Sequence, residues 1–299
     1  VRVPSDNPPG DCRAHAEKAA ELLEKLGFAV ERHPVPEALV KKYGMRTVTN
    51  LVIRERFGLG KGPTIALNAH GDVVPPGEGW THDPYGAEEA GGAIYGRGAA
   101  VSKSDFATYA FALLALKADT RGLDGTFELH FSYDEEAGGY LGPKWLIDEK
   151  ITKPDYAFSA GFSYAVVTAH NGVLHLEVAV HGKQAHAAMP DTGADALEAA
   201  TAILNAIYAE RKKLRAKKSK AKGIGSPQIT VGLISGGINT NVVPDRIVMR
   251  LDRRLIPEES GANVERDLIA RIQRAGRRKG IRVDCKRIIL ADPLKPLAG

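Results

Sequence analysis

"FELHFSYDEE", residues 127–136, decides how this chain is read. Phe127, Leu129, Phe131 and Tyr133 alternate with polar residues, the period of a β-strand that turns one face to a core. Asp134, Glu135 and Glu136 follow at the strand's carboxyl end, ahead of Gly138 and Gly139. Consecutive carboxylates repel one another unless a positive group sits among them. They read either as a solvated turn or as part of a site. A second strand, TIALNA (64–69), runs into His70-Gly71-Asp72. Such a histidine is either structural or a metal ligand whose ring the carboxylate two residues on orients. Open parallel sheets place their sites at the carboxyl ends of strands, so the two clusters support one another.

The surrounding pattern predicts the fold class. Residues 11–26 carry Ala16, Ala19, Leu23 and Leu26 at helical spacing and end at Gly27. TNLVIRE (49–55) and DYAFSA (155–160) read as strands, KSDFATYAFALLALKA (103–118) and PKWLIDE (143–149) as helices. Strands alternating with helices predict an α/β domain whose mostly parallel sheet is covered on both faces. After Gly172 the order changes. VLHLEVAVHG (173–182) is a strand, 193–211 a helix, QITVGLI (228–234) and RIVMRLD (246–252) strands, NVERDLIARIQRA (263–275) a helix and IRVDCKRIIL (281–290) a strand. This βαββαβ order is that of a ferredoxin-like, split-βαβ sandwich. Residues 173–292 are therefore expected to form an inserted α+β domain and 1–172 the main domain. Residues 293–299 are expected to begin a return to the main domain.

Composition narrows the class. A chain of 299 residues exceeds the usual single core, and 43% hydrophobic with 26% charged residues is ordinary for a globular protein. No run of about 18 apolar residues predicts a membrane span. The opening VRVPSDNPPGD lacks both a starting Met and the apolar stretch of a secretory leader, so it reads as a cut front end. Cys12 and Cys285 fit no metal or redox spacing; as free thiols they suit a reducing cytoplasm. The net charge of +5 owes much to RKKLRAKKSKAK (211–222). With no aromatic residues interleaved, that run reads as a solvated helix end and loop, so neither a nucleic-acid nor a membrane partner is expected. GLGKGP (58–63) lacks the Lys-Ser/Thr of a phosphate loop, and no Gly-x-Ser-x-Gly occurs.

Longer motifs carry a resemblance. HGDVVPPGEGWTHDPYGAEEAGGAIYGRGA (70–99), SYDEEAGG (132–139), GKQAHAAMP (182–190), GGINTNVVP (236–244) and DRR (252–254) follow one another along nearly the whole chain. Together they resemble the zinc-dependent aminoacylase and carboxypeptidase family, which includes acetylornithine deacetylase, succinyl-diaminopimelate desuccinylase and glutamate carboxypeptidase. The resemblance implies hydrolysis of an amide in an N-acyl amino acid or small peptide by two zinc ions, or cobalt or manganese, that share a bridging carboxylate. It also implies a lid domain through which two chains pair. By position, His70 resembles a ligand of one metal and Glu136 a ligand of the other, Asp72 the orienter of His70 and Glu135 the general base. His186 resembles a lid histidine that, in dimeric members, reaches the neighbouring subunit's site. Asn241 resembles a substrate contact, and Arg254 either a second one or a member of an ion pair within the domain.

The same alignment marks departures. The family's bridging aspartate falls on Val101, and a further acidic ligand falls on Gly161. Neither an isopropyl group nor a hydrogen ligates zinc, and a catalytic zinc ordinarily takes three protein ligands. Asp105, one helical turn beyond Val101, is either a replacement ligand or a first-turn acid that favours its own helix. Three readings stay open: a hydrolase with an altered metal site, a metal-free relative that binds a ligand in the old cleft, and a structural or dimerising protein.

Overall fold

A computed structural model describes residues 1–161 and 165–295. The chain divides into two compact units, residues 1–164 and 165–299.

In the first unit the elements run α1 (Arg13–Lys25), β1 (Glu31–Pro34), α2 (Glu37–Lys42), β2 (Thr49–Phe57), β3 (Thr64–His70), β4 (Glu88–Ala90), β5 (Ala93–Tyr95), α3 (Lys103–Ala118), β6 (Gly125–Ser132), α4 (Pro143–Asp148) and β7 (Tyr156–Ser159). The sheet order is β1-β2-β6-β3-β7, with β4 and β5 a separate hairpin. Strands β6, β3 and β7 run parallel, while β2 and β1 extend the sheet antiparallel. Helix α3 covers the sheet through Phe106, Ala110 and Leu113, buried at the spacing of one helix face. These join Leu51, Ile53, Leu129, Phe131 and Tyr133 in one core. Cover on both faces does not extend to β7, whose four residues are all exposed, Tyr156 and Phe158 included.

The second unit holds β8 (Gly172–His181), α5 (Ala196–Leu214), β9 (Gln228–Gly236), β10 (Arg246–Leu255), α6 (Gly261–Gly276) and β11 (Arg282–Ala291). Its sheet order, β11-β8-β10-β9, is antiparallel throughout and is the ferredoxin-like arrangement that the βαββαβ order predicts. Along β8 burial alternates strictly. Leu174, Leu176, Val178 and Val180 are each 0% exposed and pack with Ile203, Ile207, Leu268 and Ile272 of α5 and α6. Helix α5 starts where Asp195 caps it, its carboxylate accepting from the N–H groups of Leu197 (2.7 Å) and Glu198 (3.1 Å). Of the expected return at 293–299, Leu294 forms a bridge to His170 and residues 296–299 lie outside the described residues.

Candidate metal centre

Parallel pairing of β3 with β6 sets His70 opposite Ser132, so the turns that follow both strands open at the same end of the sheet. There one donor atom each of His70, Glu135 and Glu136 lies within 4.8 Å of the others. Among the described residues no other group of three such donors forms. His70 is 9% exposed, whereas both glutamates are open to solvent.

Asp72, fully buried, organises the cluster. Its carboxylate accepts from the N–H groups of Glu135 (3.2 Å) and Glu136 (3.1 Å) and from Asn7 Nδ2 (3.0 Å). The two glutamates occupy a 3-10 turn, Glu135–Ala137, whose amides Asp72 thus anchors. His70 Nδ1 lies 2.9 Å from the Asp72 carbonyl and 3.4 Å from its Oδ1. Both are acceptors, so Nδ1 carries the proton and Nε2 presents its lone pair. Burial opposes protonation of His70, but the hydrogen bond to Asp72 and the charges of Asp72 and Glu135 outweigh it and raise its pKa above the ordinary imidazole value. Glu136 is shifted upward as well, by burial first and then by the charges of Glu135 and Asp72, with His70 pulling back.

The support reaches further than the motifs suggest. Ser5 Oγ donates to the Gly71 carbonyl (2.5 Å), and the amides of Val73 and Asn7 exchange hydrogen bonds with the 5–7 and 71–73 backbone. Gly71 is required by packing: a Cβ there would lie 2.4 Å from the Tyr133 ring. Tyr133 in turn bonds His15 (3.0 Å), whose pKa burial pushes down to about 3. Asp134, whose carboxylate accepts from the Leu141 amide, is pushed up to about 7 by burial. None of Ser5, Asn7 or His15 stands out in sequence, because each acts through partners distant along the chain.

Asp105 does not join the cluster. Its carboxylate accepts from Ser102 Oγ at 3.0 Å inside the first turn of α3, so its role is that of a helix-start acid. Val101 is half-buried, and Gly161 is exposed with nothing within 4 Å of where a Cβ would stand. In the second unit, backbone pairing brings two candidates together. His186 bridges Val242, and the Ala187 amide donates to the Asn241 carbonyl (3.0 Å); both side chains are exposed. The Arg254 guanidinium is paired with Asp252 at 2.9 Å.

One imidazole nitrogen and two carboxylates whose donor atoms lie within 4.8 Å of one another are the kind of donor set that holds a zinc-, cobalt- or manganese-type ion.

Known proteins agree with this architecture, an α/β unit followed along the chain by a ferredoxin-like unit. The peptidase dimerisation domain family matches residues 168–279. The succinyl-diaminopimelate desuccinylase of Novosphingobium aromaticivorans is 30% identical over 276 residues, 87% of this chain and 67% of that protein. Aminoacylase-1 of Sus scrofa is 31% identical over 238 residues, 73% of this chain and 57% of that protein. Among solved structures, an M20 family metallo-carboxypeptidase of Sulfolobus solfataricus superposes with a TM-score of 0.73 at 20% identity, covering 94% of this chain and 75% of its own; at that identity the likeness is one of fold. The chain belongs to the M20 peptidase family. It spans about three fifths of the length of the curated relatives it matches. Among the described residues no helix is long and apolar enough to cross a membrane.

Proposed function

We propose that the protein hydrolyses the amide bond of an N-acyl amino acid or small peptide at an altered metal site. The observation that carries this reading is the convergence of His70, Glu135 and Glu136 upon the buried Asp72. A divalent ion bound there, zinc or else cobalt or manganese, supplies Lewis acidity and acidifies water. The remaining work belongs to the chain. Glu135, open to solvent, takes the proton of the attacking water. Asp72 holds the turn and the His70 ring. Residues 173–292 are proposed as the lid domain, and His186, which resembles the lid histidine that reaches a neighbouring subunit's site in dimeric members, is the candidate donor to the oxygen that gains charge. Asn241 is the candidate substrate contact, and Arg254, paired with Asp252, is a second one. Residues 1–172, with 293–299, form the proposed catalytic domain.

A homodimer built through the lid follows from the same reading. Supporting it, β9 is an edge strand of its sheet, and Leu233 and Ile234 along it and Ile238 just beyond its end are 62%, 52% and 70% exposed. A monomer in sedimentation at micromolar concentration would contradict this. Cys12 and Cys285, both free, suit a cytoplasmic setting.

Val101 and Gly161, at expected ligand positions, favour a second reading: a relative without catalysis that binds a ligand or dimerises. Metal-loaded protein assayed against N-acetyl and N-succinyl amino acids and dipeptides separates the two. Glu135→Gln should cut turnover about 10²- to 10⁴-fold, the usual worth of a general base, with an unchanged circular dichroism spectrum. No turnover across that panel by the ion-loaded parent protein would leave only the second reading.

A further inference from the structure

We infer that the second unit holds a binding site of its own for a small organic dianion, a phosphate monoester or a dicarboxylate, in a cavity between α5, α6 and the start of β9. The cavity measures about 330 Å³ and shares no residue with the cluster around His70. That volume lies at the lower end of the range that small-molecule sites occupy.

The charges that line it do not cancel. Arg253 is buried, and a buried guanidinium needs acceptors. Of its five N–H donors, Nη1 gives one to the Arg254 carbonyl and Nη2 one to Glu259 Oε1 at 2.8 Å; among the described residues the others meet no protein acceptor. The same Glu259 oxygen accepts from Lys217 Nζ at 2.8 Å, so one carboxylate serves two cations. Burial raises the Glu259 pKa, but the hydrogen bonds from Arg253 and Lys217 outweigh it and hold it below its ordinary value, so the group stays charged. Lys213, in the last turn of α5, also lines the cavity, and among the described residues no carboxylate pairs with it. The remaining charges are matched: Glu210 pairs with Arg271 at 3.2 Å and Asp267 with Arg266 at 3.3 Å. One positive charge is left over beside Glu259 and another at Lys213.

The basic run at 211–222 supplies part of this excess. A solvated helix end suits Lys212, Arg215 and Lys218, which are exposed and line no part of the cavity, whereas Lys213 and Lys217 do line it. A guanidinium offers paired N–H groups to two oxygens of one carboxylate or phosphate, and lysines add point charge. A phosphate monoester carries about two negative charges at neutral pH, and a dicarboxylate carries as many, so either balances the two cations. The rest of the wall includes Ile229, Val264 and Leu268. A bare inorganic anion would leave that apolar surface wet; an anion with an organic body covers it.

Titration calorimetry of the full chain with phenyl phosphate and with phthalate tests the site, benzamide serving as the neutral control. At least one of the two dianions should bind one-to-one, and the tighter of them identifies the ligand class; benzamide should not bind. Lys213→Glu and Arg253→Gln should each weaken that binding by about tenfold or more, the worth of a lost charge-assisted contact. Melting curves of the ligand-free proteins establish that the fold is kept, and the exposed Lys213 gives a usable variant even if Arg253→Gln does not fold. Lys218→Ser, outside the cavity, and His70→Ala, in the metal cluster, should leave the affinity within about twofold. Binding of neither dianion, equal binding of benzamide, an unaltered affinity in Lys213→Glu, or an equal loss in Lys218→Ser or His70→Ala would overturn the inference.

Discussion

Strands β6 and β8 look alike in sequence and are used in opposite ways. Both alternate with a period of two. In β8 the buried set is Leu174, Leu176, Val178 and Val180, and the residues between them are partly exposed. Across β6 and the turn after it, Leu129, Phe131 and Tyr133 are buried, yet so are Glu128, His130, Ser132 and Asp134 on the other side. Glu128 is bonded by Arg54 (2.8 Å), His130 (2.8 Å) and Thr152. The strand is thus buried on two faces, one of them polar and hydrogen-bonded. A solvated polar face and a satisfied polar interior share one alternation; only the partners tell them apart.

The contrast can be broken first at Glu128. Glu128→Ala leaves Arg54 and His130 without their shared acceptor and should cost about 3–5 kcal/mol in denaturant unfolding, the usual cost of breaking a buried ion pair. The pH dependence carries a second signature. Burial raises the Glu128 pKa, but the hydrogen bonds from His130, Thr152 and Arg54 prevail and hold it at about 2, below its ordinary value. The folded state thus binds this proton less readily than the unfolded state. Its stabilisation is present above the ordinary carboxylate pKa and disappears as pH falls towards 2. Parent and Glu128→Gln proteins should therefore converge in stability at the acid end; curves that stay parallel from pH 5 to 2 would show that the network carries no such linkage. On the apolar side, Leu176→Ala should cost about 3 kcal/mol through the cavity it leaves and should not alter metal affinity. A loss of metal binding in that variant would mean that the two units do not act separately.

Much of this was legible beforehand, for identifiable reasons. Helix α3 has the bounds 103–118 that its composition predicts, and the ferredoxin-like unit follows from element order alone. Both depend on local periodicity. The strand-end location of His70, Glu135 and Glu136 was legible too, because it follows from parallel pairing. What lay hidden depends on contacts between distant residues. Asn7 reaches Asp72 across 65 positions, and Tyr133 dictates a glycine at 71. Asp105 sits at the expected spacing from Val101, but Ser102 turns its carboxylate into the helix start. Spacing locates a side chain on a face; it does not say which hydrogen bond that side chain chooses.

The bond from Asp72 to the turn after β6 has a bearing on assembly. Acceptor and donors hang from the ends of two neighbouring parallel strands, so they meet only in one alignment of those strands. A slip of two residues would preserve the inward and outward sense of every side chain in β3 while moving Asp72 by about 7 Å, at roughly 3.3 Å per residue. The hydrophobic core would tolerate that slip better than the carboxylate would. The Asp72 contact therefore acts as a gauge of strand alignment, and a chain in which it forms has also certified that β3 and β6 are correctly paired.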